Sequence, residues 1–179
     1  EAQSLLHSIS TEIDRVTSLT EEYLQFSRLP ESQLLKGDIN RLIEDLIEFM
    51  RHEVRHKKIE VEYEIKEKSL QVKFDPVQLR RALLNMIRNA IDAMPKGGKL
   101  RIVIERADGN AIIHIQDNGV GISQEQLERI FDPFFTTKDF GTGLGLAVVQ
   151  QIIDEHRGQI SCHSRVGQGT TFSIYLPLT

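Results

Sequence analysis

The feature that most constrains this fold is the alternation of helical and strand patterns along residues 37–179. Apolar residues spaced three or four apart predict helices at 38–56, 76–94 and 144–155, with a shorter helix starting at Ser123. Alternating apolar and polar residues predict strands at 59–65, 70–74, 100–107, 111–116, 159–164 and 170–175. The charged residues within the first two of these patterns indicate half-buried antiparallel strands. We therefore expect one main domain that combines helices with a sheet.

Capping and turn residues predict where these elements begin and end. Asp38 is placed to cap the first helix of the domain, and Pro76 lies in the first turn of the next helix, where proline is tolerated. The sequence Pro95-Lys96-Gly97-Gly98 ends that second helix. Asp108-Gly109-Asn110 separates two strand patterns and predicts a β-hairpin.

A further helix precedes the domain. Apolar residues from Leu6 to Val16 recur in alternating steps of three and four, and the helical pattern ends before Pro30. We predict a helical segment at 1–30, a polar linker at 31–36 and the main domain at 37–179. Because the chain begins within a helical pattern and without Met, we expect it to be part of a longer protein.

Composition limits the classes of partner and compartment. The chain has 22 basic and 26 acidic residues and a formal charge of −4, so a general attraction to nucleic acid or to anionic membranes is not expected. Cys162 is the single cysteine and cannot form an internal disulfide, which favours a reducing compartment and hence the cytoplasm. No apolar run in the sequence is long enough to span a bilayer, and we expect no direct membrane contact.

Two asparagines in the second domain helix are candidates for binding a metal ion. Asn85 and Asn89 are four residues apart, which places both side chains on one helix face. An amide oxygen is a hard neutral ligand that suits Mg²⁺ and leaves phosphates to balance the charge. Taken alone, such a pair is more often simply an exposed helix face.

The D-N-G-V-G sequence at 117–121 is a candidate binding turn. Asp117 ends an apolar strand pattern, where its carboxylate is able to accept a hydrogen bond from an exocyclic amine such as that of adenine. Gly119 and Gly121 would let the backbone come close to a flat ring. The alternative is a plain turn after a strand.

The G-T-G-L-G sequence at 141–145 places three glycines directly before a helix. Backbone N–H groups at a positive helix end suit a phosphate chain, although a flexible hinge is the alternative. This is neither a Rossmann loop, because position 146 is Leu, nor a Walker loop, because no Gly-Lys-Ser/Thr occurs. Lys138 precedes the loop and would neutralise a terminal phosphate. The nearby Phe131, Phe134 and Phe135 give this segment an apolar, mobile-looking character. The alternative, which does not exclude the first, is that the three rings fill the core, Phe131 most of all.

One metal-binding pattern is rejected. His52 and His56 match the H-E-x-x-H spacing of zinc sites, but they end an amphipathic helix beside Lys57 and Lys58, and no third ligand follows at a suitable spacing. Adjacent residues in a strand point to opposite faces, so Cys162 and its neighbour do not form a site either.

Several segments together resemble the boxes that define sensor histidine kinases. The N, G1, F, G2 and G3 boxes correspond in order to N-M-I-R-N-A-I-D-A, D-N-G-V-G, F-D-P-F-F-T-T-K, G-T-G-L-G-L and G-Q-G-T-T. The resemblance covers about residue 37 to the end, and the leading helix resembles the second helix of a truncated dimerisation and phosphoacceptor hairpin. With two residues between Lys138 and Gly141, the lid is similar to that of nitrogen-regulation and sporulation kinases.

The resemblance implies a fold and a set of site residues. The fold is a two-layer α/β sandwich of the α+β type, the Bergerat ATP-binding fold of the GHKL superfamily, with a mixed sheet, and its cofactors are ATP and Mg²⁺. Asn89 would bind Mg²⁺, Asn85 and Lys138 would act on the phosphates, and Asp117 would hold adenine. The other predicted binding residues are Gly119, Gly121, Gly141, Thr142, Gly143, Leu144, Gly145 and Thr170, the last through water.

The same resemblance implies a kinase. ATPases of the superfamily carry Glu at the position of Asn85 to activate water, and an amide is not a base near neutral pH. We expect transfer of the γ-phosphoryl group to a histidine on an upstream helix and then to an aspartate of a response-regulator receiver domain. His7 lacks the acidic neighbour of an acceptor, so the fragment should not phosphorylate itself, and its homodimer should be weaker than that of the full-length protein. The alternatives are a GHKL-type ATPase and a nucleotide-sensing interaction module.

Overall fold

The computed structural model describes residues 2–27, 30–138 and 141–179. Its helices are α1 (Ala2–Ser27), α2 (Ile39–His56), α3 (Pro76–Asp92), α4 (Gln124–Leu127) and α5 (Gly145–Glu155). Its strands are β1 (Leu35–Asp38), β2 (Ile59–Ile65), β3 (Gln71–Phe74), β4 (Gly98–Ala107), β5 (Asn110–Asp117), β6 (Gln159–Arg165) and β7 (Gly169–Pro177). Every helix and strand predicted from the sequence is present.

Five strands form the main sheet in the order β2-β4-β5-β7-β6. The β2–β4 pair is parallel and the other three pairs are antiparallel, so the predicted mixed sheet is confirmed. The prediction that β2 is an antiparallel strand is wrong. The chain returns from β2 to β4 through β3 and α3, and a helical crossover of this kind brings two strands together in parallel.

The short strand β1 was not predicted. It pairs antiparallel with β3 in a separate two-stranded sheet, with Leu35 opposite Phe74. Leu35 and Lys36 therefore form a strand within the segment that we predicted to be a linker. Ser32, in the same segment, also contacts the domain, where its hydroxyl donates to Glu155 at 2.6 Å. Strand β1 has little pattern of its own and depends on the β3 edge for its hydrogen bonds.

Helices α2, α3 and α5 cover one face of the main sheet. On α3, the apolar residues Leu79, Leu83 and Met86 are fully buried. The inward residues of the sheet that meet these helices include Ile102, Ile104, Ile113, Ile115, Ile174 and Leu176. The other face is polar at its β2 edge, where ion pairs join Glu62 to Lys99 and Glu64 to Arg101. The two layers follow from this division, because only one face of each element is apolar.

Helix α1 stands apart in character. Its side chains Leu5, Leu6, Ile9, Ile13 and Val16 are exposed. Near its end, the ring of Tyr23 stacks on Phe134 with 6.4 Å between centroids. Among the residues that the structure describes, no helix is long and apolar enough to cross a membrane.

The beginning of α3 is held by Asp75. Its carboxylate accepts hydrogen bonds from the backbone N–H groups of Val77 at 2.9 Å and Gln78 at 3.1 Å, and from that of Gln33 at 3.0 Å. The backbone N–H of Asp75 donates to the buried His156 at 2.9 Å. Desolvation raises the pKa of Asp75, but the hydrogen bonds from the three N–H donors lower it by more. The pKa of Asp75 therefore lies below its usual value.

Replacing this cap should destabilise the domain. Asp75→Ala leaves two helical N–H groups and one linker N–H without their acceptor, and we expect a loss of about 1–2 kcal/mol in the free energy of unfolding, measured with urea. The exposed Asp45→Ala is the control and should change it by less than about 0.5 kcal/mol. Because the folded-state pKa is lowered, the stabilisation should be full above about pH 4 and disappear as pH falls below it. An equal loss at pH 7 and pH 2 would contradict this account.

Candidate functional site

A cleft of about 1100 Å³ lies beside α3 and brings most of the predicted site residues together. Ten of the twelve line it: Asn85, Asn89, Asp117, Gly121, Lys138, Gly141, Thr142, Gly143, Gly145 and Thr170. Gly119 and Leu144 are the exceptions. Leu144 directly precedes α5, and its side chain is fully buried in the core rather than facing the cleft.

Helix α3 presents one row of side chains to the cleft. Val77, Arg81, Asn85 and Asn89 are spaced four residues apart, and all four line the cleft. This spacing places successive side chains about one helical turn apart along a single face. The apolar side of the same helix is buried, so the row cannot turn away from the cleft without exposing the core.

Asp117 closes the inner end of the cleft. Its residue is 4% exposed, and one carboxylate oxygen accepts from the Gly119 N–H at 2.9 Å. Burial raises the pKa of Asp117, and the hydrogen bonds from the backbone N–H groups of Gly119 and Thr170 partly oppose that rise. A buried carboxylate with few donors is a strong acceptor for a polar hydrogen of a bound molecule.

Thr170 and Ser164 join the inner end to the neighbouring strands. Thr170 lies opposite Asp117 in the β5–β7 pair, and its hydroxyl is 2.9 Å from that of Ser164. Ser164 also accepts from the Ile122 N–H at 2.8 Å. Ser164 was not predicted from the sequence, because a serine in a strand carries no signal until the turn that it contacts is known.

The two glycines after Asp117 are required by the local packing of the backbone. A Cβ atom on Gly119 would lie 2.4 Å from the carbonyl oxygen of Ala93, and one on Gly121 would lie 2.1 Å from that of Arg165. Gly121 also has φ +71°, which other residues rarely adopt. The close approach in the structure is to the backbone after α3 and at the end of β6, and the approach to a flat ring stays a prediction.

The glycine loop before α5 contains one glycine that packing does not require. A Cβ on Gly145 would meet nothing within 4 Å, although Gly145 lines the cleft at the first position of the helix. The side chain of the N-cap residue Leu144 makes no capping hydrogen bond, and the Thr142 hydroxyl accepts from the Leu144 N–H at 3.4 Å. The missing side chain therefore leaves the backbone N–H groups at the helix start open to the cleft, where they are able to bind an anion.

Lys138 crosses the cleft to α3. Its ammonium donates to Asn89 Oδ1 at 2.9 Å and to Asp92 Oδ2 at 2.7 Å. A positive group therefore already lies on the amide oxygen that was predicted to bind Mg²⁺. This oxygen is accessible to a cation and has no competing donor from its own helix among its described contacts.

The phenylalanines before Lys138 divide between core and surface. Phe131 packs edge-on against Phe172, with 6.5 Å between centroids, and Phe135 lies under the guanidinium of Arg129 at 4.6 Å. Phe134 is exposed and has φ +68°. Phe131 and Phe135 are partly buried and pack against the core, so the core interpretation holds for them. It is wrong for Phe134, whose N–H donates to the carbonyl of Gly143 at 3.0 Å.

The rejected zinc pattern lies on the surface. His52 and His56 are exposed at the end of α2. Within residues 2–27, 30–138 and 141–179, no group of three or more His, Cys, Asp or Glu side chains is arranged to hold a metal ion. Burial raises the pKa of the Cys162 thiol to about 12, and the nearby Asp117 adds to that effect.

Residues that the sequence analysis did not predict also line the cleft. Three are cationic, Arg80, Arg81 and Arg88, and the apolar ones include Val120, Ile122, Ile130, Leu146 and Phe172. Extending the four-residue spacing of Asn85 and Asn89 backwards would have identified Arg81. The apolar residues carried no such signal, because they come from separate elements that only the fold brings together.

The cleft thus combines a buried acceptor, an apolar wall, open helix N–H groups and a row of cationic and amide side chains. A molecule with a flat donor-bearing ring at one end and an anionic chain at the other would match this order.

The chain is similar to kinases and related ATPases. Residues 74–179 match the family described as histidine kinase-, DNA gyrase B-, and HSP90-like ATPase. The chain is 33% identical over 178 residues to the sensor histidine kinase ZraS of Escherichia coli (strain K12) and 31% identical over 171 residues to sporulation kinase E of Bacillus subtilis (strain 168). These matches cover 99% and 95% of the chain but only 38% and 23% of the two relatives.

Solved histidine kinases share the fold. The catalytic domain of ThkA in a nucleotide-free form has a TM-score of 0.75 at 33% identity, covering 81% of this chain and 95% of that one. Full-length ShkA in complex with AMPPNP has a TM-score of 0.83 at 27% identity, covering 99% and 39%. ThkA in complex with the response regulator TrrA has a TM-score of 0.82 at 28% identity, covering 100% and 52%.

Two glycines of the cleft should respond oppositely to substitution. Gly121→Ala introduces a clash and places a Cβ on a residue with positive φ. We expect it to destabilise the domain by about 1–3 kcal/mol or more. Gly145→Ala adds a methyl group in open space on a helix, so it should leave the stability unchanged or raise it by up to about 1 kcal/mol. Thermal unfolding of the two variants beside the parent measures both effects. A Gly145→Ala protein as unstable as Gly121→Ala would show that Gly145 is required for packing.

Proposed function

Because this chain belongs to the family of histidine kinase-, DNA gyrase B- and HSP90-like ATPases, and within it to the ATP-binding catalytic domains of sensor histidine kinases, we propose that it transfers the γ-phosphoryl group of Mg-ATP to a histidine outside residues 1–179. The predicted Bergerat fold and the two-component kinase family are confirmed by the relatives. The observation that carries the proposal is the single cleft that joins Asp117, Asn89 and the open helix end at Gly145.

Asp117 is proposed to hold the adenine ring. Its buried carboxylate would accept from the exocyclic amine, and the apolar residues Val120 and Ile122 would lie against the ring. The hydroxyl of Thr170 is available beside it to hold a bridging water. Placed at the inner end, the base would direct its phosphates outwards along α3.

The phosphates are proposed to lie between α3 and α5. The open backbone at Gly145 suits direct contact with phosphate oxygens, because no Cβ intervenes. Asn85 and Lys138 would contact the phosphate chain from the other side. ShkA was crystallised with AMPPNP, which supports the assignment of a nucleotide to the corresponding cleft here.

Asn89 is proposed to bind Mg²⁺. The ammonium of Lys138 lies 2.9 Å from the Asn89 oxygen, which supports this oxygen as a contact for a cation in the cleft. An amide oxygen together with phosphate oxygens and water makes the all-oxygen shell that Mg²⁺ requires. When bound, the ion would neutralise charge on the phosphates during transfer.

Kinase activity is favoured over hydrolysis by the residues that line the cleft. Position 85 holds an amide, which does not act as a general base. Among the described residues lining the cleft, the carboxylates are Asp92 and Asp117, the first bound to Lys138 and the second buried at the inner end. Neither is free beside Asn85 to activate water. A histidine brought from another segment would instead supply the nucleophile.

The remaining assignments concern the longer protein. We propose that residues 1–30 are the second helix of an acceptor hairpin, that residues 37–179 are the catalytic domain, and that the full-length protein is a cytoplasmic-facing homodimer. ThkA was crystallised with its response regulator, which supports a receiver domain as the onward partner. His7 lies on α1, although its side chain is outside the described residues, and it stays an improbable acceptor on sequence grounds.

The magnesium assignment predicts a specific loss. Asn89→Ala removes the amide oxygen, so Mg-ATP affinity should fall at least about tenfold, equivalent to about 1.4 kcal/mol, while affinity for ATP without Mg²⁺ should change little. Isothermal titration calorimetry with and without MgCl₂ measures the difference. Asn110→Ala, in the β4–β5 hairpin outside the cleft, is the control. If the parent bound ATP equally well with and without Mg²⁺, the assignment of Asn89 would be wrong.

The kinase assignment predicts transfer to a separate acceptor. Supplied with γ-labelled ATP and an acceptor hairpin from its own full-length protein, the chain should label the hairpin, and Asn85→Ala should reduce the rate about 100-fold. An acid-labile product identifies phosphohistidine. Phosphate release without a labelled hairpin would instead indicate an ATPase, and nucleotide binding without either product would indicate a sensing module.

A further inference from the structure

Asp92 lies at the phosphate side of the cleft but has no role in the site described above. It is the last residue of α3 and follows Asn89 by three positions, so the two side chains lie on neighbouring turns of one face. Its Oδ2 atom accepts from the Lys138 ammonium at 2.7 Å, and the same ammonium donates to Asn89 Oδ1 at 2.9 Å. All three residues line the cleft.

We propose that Asp92 is a positioning residue for Lys138, holding its ammonium where it contacts the terminal phosphate of the bound nucleotide. This inference rests on the proposed function, because it assumes that ATP occupies the cleft. It concerns a residue that lies within the N box but was given no role there, and that touches the nucleotide only through Lys138.

The segments that carry the two residues indicate that Asp92 positions Lys138 and not the reverse. Asp92 belongs to a helix whose opposite face is buried, so its carboxylate is held on a rigid support. Lys138 follows two exposed threonines, and its backbone N–H is held locally by the Thr136 hydroxyl at 3.1 Å. A lysine side chain has many rotamers when it is free. The contact with Asp92 therefore selects the position of the ammonium, which its own segment does not determine.

The number of donors allows the contact to persist when nucleotide binds. An ammonium has three N–H donors, of which Asn89 and Asp92 use two. If the Asn89 oxygen turns to a metal ion, two donors become available for phosphate oxygens while the third stays on Asp92. Neutralised by Lys138, the carboxylate then repels the phosphates less than it would alone.

As a surface salt bridge, the Lys138–Asp92 pair contributes little to the stability of the fold. The Lys138 and Asp92 side chains are 45% and 52% exposed, and ion pairs in such positions contribute little to folding. Its position inside the cleft instead favours a role in nucleotide binding. Asp117, the other described carboxylate lining the cleft, is buried at the inner end and is therefore no substitute.

A double-mutant cycle tests the proposal. The variants are Asp92→Asn, Lys138→Met and the combination, and the measurements are the affinities for Mg-AMPPNP and Mg-ADP by calorimetry. We expect Asp92→Asn to weaken Mg-AMPPNP binding by about threefold to tenfold in the parent and to have no effect in the Lys138→Met background. Mg-ADP, which lacks the γ-phosphate, should change by less than about twofold. Asp154→Asn, which removes an exposed carboxylate on α5 outside the cleft, is the charge control and should change neither affinity.

Three other outcomes would overturn the proposal. Equal weakening in both backgrounds, with a raised requirement for Mg²⁺, would make Asp92 a metal ligand. Tighter binding of Mg-AMPPNP by Asp92→Asn would make the contact a latch that opposes binding, and unchanged binding would make it a surface ion pair. Failure of the parent chain to bind either nucleotide is a different result, because it would refute the proposed function itself.

Discussion

Burial of the apolar face of α3 is the interaction on which the rest of the structure depends. Leu79, Leu83, Met86 and Ile87 are each no more than 1% exposed, and burial of such side chains contributes about 1.5–3 kcal/mol apiece. This face determines the rotation of the helix about its own axis. The opposite face is thereby directed into the cleft with its arginines and asparagines. A helix rotated far enough to withdraw those polar side chains would expose the main part of the core.

Close contacts between backbones determine the shape of the inner end of the cleft. The turn after β5 passes so near to Ala93 and to Arg165 that Gly119 and Gly121 have no room for a side chain. Gly169 approaches Asp117 in the same way, because a Cβ atom on Gly169 would lie 2.0 Å from the carbonyl oxygen of Asp117. These contacts join the end of α3 to the ends of β5, β6 and β7. Asp117 is consequently placed by a rigid junction of four elements, which suits the recognition of a ring with fixed donors.

The outer end of the cleft is held more loosely. The Lys138 segment contacts α3 through exposed polar side chains, and Phe134 contacts α1 through the ring of Tyr23. Segments with few buried apolar contacts open at small free-energy cost, whereas buried strands open only on global unfolding. The cleft therefore has a firm end for the base and an adjustable end for the phosphates. The Tyr23–Phe134 stack also places the leading helix in contact with the adjustable end.

Much of the fold followed from local chemistry. The start of α2 was predictable from Asp38, because a capping carboxylate acts within three residues of itself, and the start of α3 from Pro76, because proline is tolerated in a first helical turn. The hairpin at Asp108 and Gly109 was predictable because positive φ at both positions matches the twist of the strands. The parallel pairing of β2 was not, because its alternating pattern is the same for either direction of the neighbouring strand. Strand β1 was missed for a related reason, since it pairs with the edge of β3, which comes more than 30 residues later in the chain.

The sequence by itself determined the order of the elements, the row of Asn85 and Asn89 on one helix face, and the family to which the five motifs belong. It did so because capping, periodicity and motif order are properties of neighbouring residues. Only the tertiary structure decided that Leu144 points into the core, that Gly119 and Gly121 are required by the backbone, and that Asp92 shares Lys138 with Asn89. Those outcomes depend on distances between residues far apart in the chain, which exist only after α3 has packed against the sheet.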